Sequence, residues 1–217
     1  MNFPKLLLLV WLIFGANFCN GQTEEKEKKY LSLGTKHTGI CFGVSRKYNG
    51  IRFNLEDLWG EKINGINIFL VSDNSSAGNG IQIGILGANY SEFNGILIGS
   101  IGNRGRKLNG IGLSAFWTES DTLNGLGIGF FVSASKNEVG GILNGVGLAL
   151  YGIGAGKVNG FVAGGFFNFS ERLSGLAIGG FNHTEELHGV QIGLINYAGN
   201  NRKLFRWVPL LNFHLKS

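Results

Sequence analysis

The chain has 217 residues, a net charge of +5, two cysteines and 37 glycines. This length suits a single domain, and so small a charge, with no contiguous basic and aromatic surface, argues against nucleic acid as a partner. The glycines fall in phase with Ile, Leu and Val and not in collagen triplets, so the composition favours an ordered repeat over a flexible linker.

The first predicted segment is a signal peptide over residues 1–21. Lys5 provides its basic start, and the apolar run 6–14 is too short for a stable membrane anchor. Lipidation of Cys19 is the alternative, although the bulky Phe18 stands where a small residue is expected. The sequence therefore predicts export.

Three further regions follow along the chain. Residues 22–36 are predicted to be a solvated lead-in, because Lys and Glu alternate there. Residues 37–201 form the predicted repeat domain, and 202–217 a segment that caps it. Cys41 is the one cysteine after the signal peptide, so no intramolecular disulfide is expected.

The repeat is marked by a glycine, usually preceded by asparagine, that recurs every 15 residues. These glycines are Gly50, Gly65, Gly80, Gly95, Gly110, Gly125, Gly145, Gly160, Gly175 and, one residue early, Gly189. A short fixed period predicts a stack of one small unit. The step of 20 after Gly125 predicts a loop around residues 135–140. Stacked asparagines are expected to form a ladder of amide hydrogen bonds beside the glycines, at a sharp corner that needs positive φ.

Each unit also carries an alternating apolar pattern, numbered here from the residue before Asn-Gly, such as Leu108. Position 1 is mostly apolar, and positions 4 and 6 are large and apolar, as in Ile66 and Ile68. Position 5 is small or polar, as in Asn67 and Gln82. This period of two predicts a strand with positions 4 and 6 buried and position 5 outside.

Two architectures fit one strand every 15 residues: a β-solenoid or a transmembrane β-barrel. Uniform connections and short apolar runs favour a single-domain, all-β solenoid. Counting the divergent unit at Gly39 predicts about eleven coils, with the C-terminal segment as the cap. The test is pairing, because a solenoid places Ile66 beside Ile81 in parallel, whereas a barrel requires antiparallel neighbours.

The late units, LSGLAIGGFNHTEE and LHGVQIGLINYAGNN, resemble bacterial exported proteins with surface repeats of the form LxGLQIGLxN. The resemblance covers nearly all of the chain after the signal peptide, and residues 189–196 are its most specific part. It implies export and a place at the envelope of a Gram-negative bacterium. It implies no catalytic residues.

Chemical motifs are sparse. His183, Glu185, Glu186 and His188 come nearest to a metal cluster, but their spacing matches no zinc motif. Residues 152–157 resemble a phosphate loop superficially, without the Ser or Thr that should follow its lysine. Cys41 at an outward position 5 is a candidate reactive thiol, unless a capping segment covers it.

The sequence therefore predicts a non-enzymatic envelope protein with no catalytic, cofactor or metal site. Its regular faces are expected to serve as a structural or interaction surface for an envelope protein, a glycan or another copy of itself. The alternatives are a small outer-membrane barrel acting as channel or anchor, and a solenoid enzyme, for which no acidic or histidine-rich cleft is evident.

Overall fold

The structure is a computed structural model that describes residues 31–35, 37–43, 45, 47–56, 62–71, 76–136 and 139–215. The predicted signal peptide, Cys19 and most of the predicted lead-in lie outside the described residues.

Ten strands and one short 3-10 helix account for nearly all of the described chain. In chain order they are β1 (Leu31–Thr35), β2 (Thr38–Phe42), β3 (Lys47–Glu56), β4 (Lys62–Val71), β5 (Ser76–Gly99), β6 (Gly102–Ser114), β7 (Trp117–Lys136), β8 (Val139–Gly140), β9 (Ile142–Ala198), the 3-10 helix (Lys203–Phe205) and β10 (Trp207–His214). At 57 residues β9 is far longer than one repeat, because the strand continues around successive coils.

Apart from β8, the pairing from β2 to β9 is parallel and in register with the repeat. Ile66 pairs with Ile81, and Gly95 with Gly110. Each residue thus lies beside its equivalent one unit later, so the protein is a β-solenoid, as predicted, and the barrel alternative is wrong. Gly39 pairs with Gly50, which places the divergent first unit in the same stack.

The repeated glycines form one column along the stack, as their spacing predicts. All of them have positive φ, and an added Cβ on Gly110, at φ 138°, would collide with the carbonyl oxygen of Gly95. Only glycine tolerates both the dihedral and this close approach. Strand pairing continues through Asn-Gly, from Lys47 to Glu56 in β3, so the dipeptide does not interrupt the strand.

The alternation of side chains is confirmed, but the predicted direction is wrong. Position 5 is buried, with Asn67 and Gln82 only 2% exposed, whereas Ile66 and Ile68 at positions 4 and 6 are partly exposed. The buried positions of a unit are 1, 5 and 7, as Ile63, Asn67 and Phe69 show in β4, whereas Gly65 between the first two is exposed. Beyond the glycine the strand alternates with position 5 inward, and positions 4 and 6 therefore point outward.

The interior changes in character along the stack. One apolar cluster runs from Phe69 to Ala198, with Leu108 and Leu123 fully buried at position 1. A separate small cluster, made of Cys41, Tyr48 and Ile63, lies in the first coils. The solenoid therefore has a continuous apolar core only from β4 onward.

Both ends of the stack carry an antiparallel strand. β1 pairs with β2, so residues 31–35 of the predicted lead-in belong to the sheet. β10 pairs with the end of β9, and Leu211 lies opposite Ile192. These two strands occupy the outermost positions of the sheet order.

The extra residues after Gly125 form a small hairpin. Ser135 pairs with Gly140, and Lys136 with Val139, in antiparallel fashion. The column of glycines continues undisturbed, since Gly125 pairs with Gly145. The predicted loop around 135–140 is confirmed, and it leaves the coil register intact.

Candidate interaction surfaces

The outward residues at positions 4 and 6 form a face that we call the aliphatic wall. All are at least partly exposed: Ile51, Phe53, Ile66, Ile68, Ile81, Ile83, Ile96, Ile98, Ile111, Leu113, Leu126, Ile128, Val146, Leu148, Phe161, Ala163, Leu176, Ile178, Val190 and Ile192. Between positions 4 and 8 of these coils the one charged residue is Arg52, which points inward. The wall is thus two parallel columns of apolar side chains on the outside of the protein.

A shallow apolar groove of about 710 Å³ lies on the late coils beside this wall. Its floor is made by glycines, among them Gly165 and Gly180, at the level where earlier coils carry Ile85 or Phe130. Leu194 and Leu210 line it as well. The groove arises because large side chains are replaced by glycine in consecutive coils.

A second outer feature is a row of contacting rings, which we call the aromatic row. Ring centroids lie 5.4 Å apart for Phe130 and Tyr151, 5.3 Å for Tyr151 and Phe167, and 5.0 Å for Phe167 and Phe169. Phe181 then stacks on Trp207 of β10 at 6.0 Å. The stacked, tilted and edge-on contacts of this row stabilise the outside of the coils, and the rings remain partly exposed.

The predicted asparagine ladder is present. Each side-chain amide donates to the Oδ1 of the asparagine one coil earlier, from Asn64 to Asn159, at distances of 2.6 to 2.8 Å. Successive bonds link every amide to its neighbours, so the recurrence of Asn is explained by its structural role in the strand.

A second ladder, inside the solenoid, was missed from sequence. Asn168 donates to Asn182, and Asn182 to Asn196, each at 2.7 Å. Both donors also bond backbone oxygens, those of Ile178 and Ile192. The available signal was an Asn flanked by large residues and repeated every 14 positions. The bonds satisfy the buried amide N–H groups of Asn168 and Asn182, whereas Asn168 Oδ1, at the start of the ladder, has no hydrogen-bond partner among the described residues.

Arg52 is the most unusual buried residue, because its side chain is fully enclosed. Its Nε donates to Asn67 Oδ1 at 2.9 Å, and its Nη1 donates to the Ser45 carbonyl at 2.7 Å. Gln82, one coil beyond Asn67, continues the inward polar column. The first of these coils thus have polar side chains at position 5, hydrogen-bonded at Arg52 and Asn67. The later coils have small or apolar residues there until the last: Leu97, Gly112, Gly127, Gly147, Val162, Ala177 and Gln191.

Two buried groups have shifted pKa values. Burial raises the pKa of the Cys41 thiol, an effect that nearby Arg52 partly opposes. Cys41 is fully buried, so the expectation of an outward reactive thiol is wrong: position 5 points inward and burial disfavours the thiolate. Burial also raises the pKa of Tyr90 to about 12, while its hydroxyl donates to the Glu119 carbonyl at 3.2 Å.

The histidine and glutamate candidates are drawn into separate contacts. His183 stacks on Tyr197 at 4.5 Å and lies 3.6 Å from Glu185. Glu186 pairs with Arg172, and His188 contacts His214 edge-on. Among the described residues, no three His, Cys, Asp or Glu side chains lie together in a way that could hold a metal ion.

The other sequence candidates belong to the regular structure. Residues 152–157 lie within β9 and are extended strand, not a loop at a helix start. Arg104, Arg106 and Lys107 lie close together in the sequence, and Arg104 pairs with Glu119 of the next coil at 3.5 Å, an exposed contact of small energetic value.

Comparisons with protein-family models, curated proteins and solved structures gave no match to this chain. In the described part of the chain, no helix has the length and apolar character needed to span a bilayer.

Proposed function

We propose that this is a non-enzymatic, exported repeat protein of the cell envelope, and that it acts as an interaction surface through its aliphatic wall. The observation that carries the proposal is the outward placement of positions 4 and 6 in coil after coil. Large apolar patches on a protein surface mark sites of association. The resemblance of residues 187–201 to exported surface repeats supports the proposed location.

The partner that this wall fits is a second copy of the same wall. Its rows repeat at roughly 4.8 Å, the spacing of neighbouring strands, and only a surface with the same period can interdigitate with it along its length. From Gly50 to Gly189 the wall is about 40 Å long, and with the outward residues of position 8 beside it the apolar face is about 15 Å wide. That is roughly 600 Å² per copy, close to the ~800 Å² of a standard interface.

The charge distribution supports the same partner. Charged side chains lie on the return segment of each coil, where Arg172 pairs with Glu186 through Nε at 2.6 Å. Two walls brought face to face would therefore bury apolar side chains without burying unpaired charge. We expect the protein to be a dimer or a larger assembly in solution.

The test substitutes Ile81→Lys and Ile111→Lys together, which places two charges in the centre of the wall. Thr122→Lys is the matched control, because it adds a charge on the return segment. The residue that pairs with Thr122 in the preceding coil is Lys107, which already has a positive charge. Light scattering after gel filtration should show the control at the mass of the unmodified chain and the wall variant at a lower mass. Circular dichroism checks that all three are folded.

Two outcomes contradict this proposal. One is an unmodified chain that stays monomeric over the whole concentration range. The other is a folded wall variant with unchanged mass. Fractionation of cells that make the tagged chain tests the location separately, and recovery in the cytoplasm would contradict export.

A further inference from the structure

The C-terminal tip, residues 202–215, places its apolar side chains outward. Leu204 is 89% exposed, Leu210 69% and Leu215 75%, and Phe205, Trp207 and Phe213 are also exposed. Within β10 the buried side chain is Asn212, whose neighbours on both sides, Leu211 and Phe213, face out. Leu211 and Phe213 lie opposite Ile192 and Val190 and therefore prolong the aliphatic wall. Leu204, Phe205 and Trp207 are exposed outside the wall, so these side chains are available to something outside the protein.

The charge of this tip has one sign. The sequence from 199 to 217 contains no Asp or Glu, whereas it contains Arg202, Lys203, Arg206 and Lys216. Arg202 and Lys203 are exposed and adjoin Leu204 and Phe205 in the 3-10 helix. Cations beside exposed leucine and aromatic side chains complement a surface that is apolar inside and anionic at its boundary.

The edge of β10 is unsuited to pairing with another strand. Pro209 has no backbone N–H, Leu210 has a φ of 65°, and the register shifts between Val208 and Leu210. Such irregularities block strand addition at an exposed edge. End-to-end stacking of a second copy is thereby disfavoured, and a partner must be bound through side chains.

We propose that the C-terminal tip binds the interface of a lipid surface rich in anionic headgroups. Leu204, Phe205 and Trp207 enter the boundary between headgroups and acyl chains, while Arg202 and Lys203 contact the headgroups. Insertion is shallow, because the free backbone groups of β10 must stay in contact with water or headgroups. This inference goes beyond the proposed function, since it concerns the end of the solenoid and not its wall.

The test is co-sedimentation of the full chain with vesicles of phosphatidylcholine and phosphatidylglycerol, compared with phosphatidylcholine alone. The chain should bind the mixed vesicles more tightly and should be released as salt is raised. Arg202→Gln with Lys203→Gln should weaken binding to the mixed vesicles roughly thirtyfold, at about fivefold per charge. Leu204→Ser with Phe205→Ser should weaken it by about tenfold or more.

The matched apolar control is Leu55→Ser with Leu150→Ser, two leucines that are each 76% exposed and lie outside the tip. Lys62→Gln is the control for charge, as an exposed lysine of β4. These controls should bind the mixed vesicles as tightly as the unmodified chain does. All variants share the same N-terminal segment, so a difference between them does not come from that segment.

Three results would overturn the inference. The first is equal binding to both kinds of vesicle. The second is a loss of binding in the Leu55 and Leu150 control that matches the loss in the tip variants, which would place the contact elsewhere. The third is a fall in oligomer mass in the tip variants with no change in lipid binding, which would make a second copy the occupant. If the tip variants lose lipid binding while their oligomer mass is unchanged, the result supports lipid binding at the tip. Association through the aliphatic wall is tested separately, by the wall variant.

Discussion

At the scale of the residue, the glycine column is the strictest requirement in the protein. Gly110 combines positive φ with a position directly against the Gly95 carbonyl, so a side chain is excluded on two grounds. The asparagine before it has a different role, because its amide bonds to the coils before and after. The positive φ required of the second residue and the side-chain hydrogen bonds made by the first together explain why Asn-Gly is the dipeptide that recurs.

Replacement of Gly110 by alanine should destabilise the fold by about 3 kcal/mol or more, since the new Cβ meets backbone that cannot move and the dihedral becomes strained. Gly154→Ala is the matched control: a Cβ at Gly154 meets nothing within 4 Å. Its free energy of unfolding should stay within about 0.5 kcal/mol of the unmodified chain. Urea unfolding followed by circular dichroism measures both, and equal stability of the two variants would refute the steric argument.

At the scale of the element, the ladders and the strands reinforce each other. Parallel register keeps Asn109 level with Asn94 and Asn124, and the amide bonds in turn disfavour a slip of one residue, which would turn every side chain to the other face. The inner ladder at Asn182 does the same on the return side of the late coils. Register is thus specified twice in those coils.

The outer ladder predicts a difference between its middle and its end. Asn109→Ala removes two side-chain hydrogen bonds, one to Asn94 and one from Asn124. Asn159→Ala removes the bond that Asn159 donates to Asn144. At about 1 kcal/mol for each bond, the losses of unfolding free energy should be about 2 and about 1 kcal/mol. Equal losses in denaturant unfolding would mean that the ladder bonds do not contribute individually.

At the scale of the whole molecule, stability should vary along the stack. Each coil contacts mainly its neighbours, so local stability follows local filling of the interior. The early coils enclose Arg52 and Asn67 beside a small apolar cluster, whereas the late coils, which bury the inner asparagine ladder as well, share the continuous apolar cluster that includes Leu143 and Val158. Polar interiors gain less free energy on burial than apolar ones.

Hydrogen exchange followed by mass spectrometry should therefore show slower exchange in β9 than in β3 and β4. The expected ratio is at least tenfold, because a difference of about 1.4 kcal/mol in opening free energy is sufficient for that factor. Leu97 occupies position 5 one coil after Gln82, so the inward column of polar side chains ends at Leu97. Peptides of β6, which follows this point, should therefore exchange as slowly as those of β9. Uniform protection from β3 to β9 would show that the stack opens as one unit.

The sequence by itself determined the repeat, the strand in each unit, the glycine column, the outer ladder and the insertion after Gly125. These features are local or strictly periodic, so the spacing of residues carries them. The solenoid follows too, because identical units with uniform connections suit parallel stacking.

Only the tertiary structure decided which way each strand faces. Alternation shows that odd and even positions of a strand face opposite sides, but not which side is the interior. The large apolar residues at positions 4 and 6 suggested that they form the core, whereas the structure buries positions 1 and 5. The burial of Arg52 and Cys41 follows from that orientation, and the inner asparagine ladder and the exposed apolar tip likewise emerge only from the tertiary structure. They depend on what lies across the interior from each strand, and the order of residues along one strand does not contain that information.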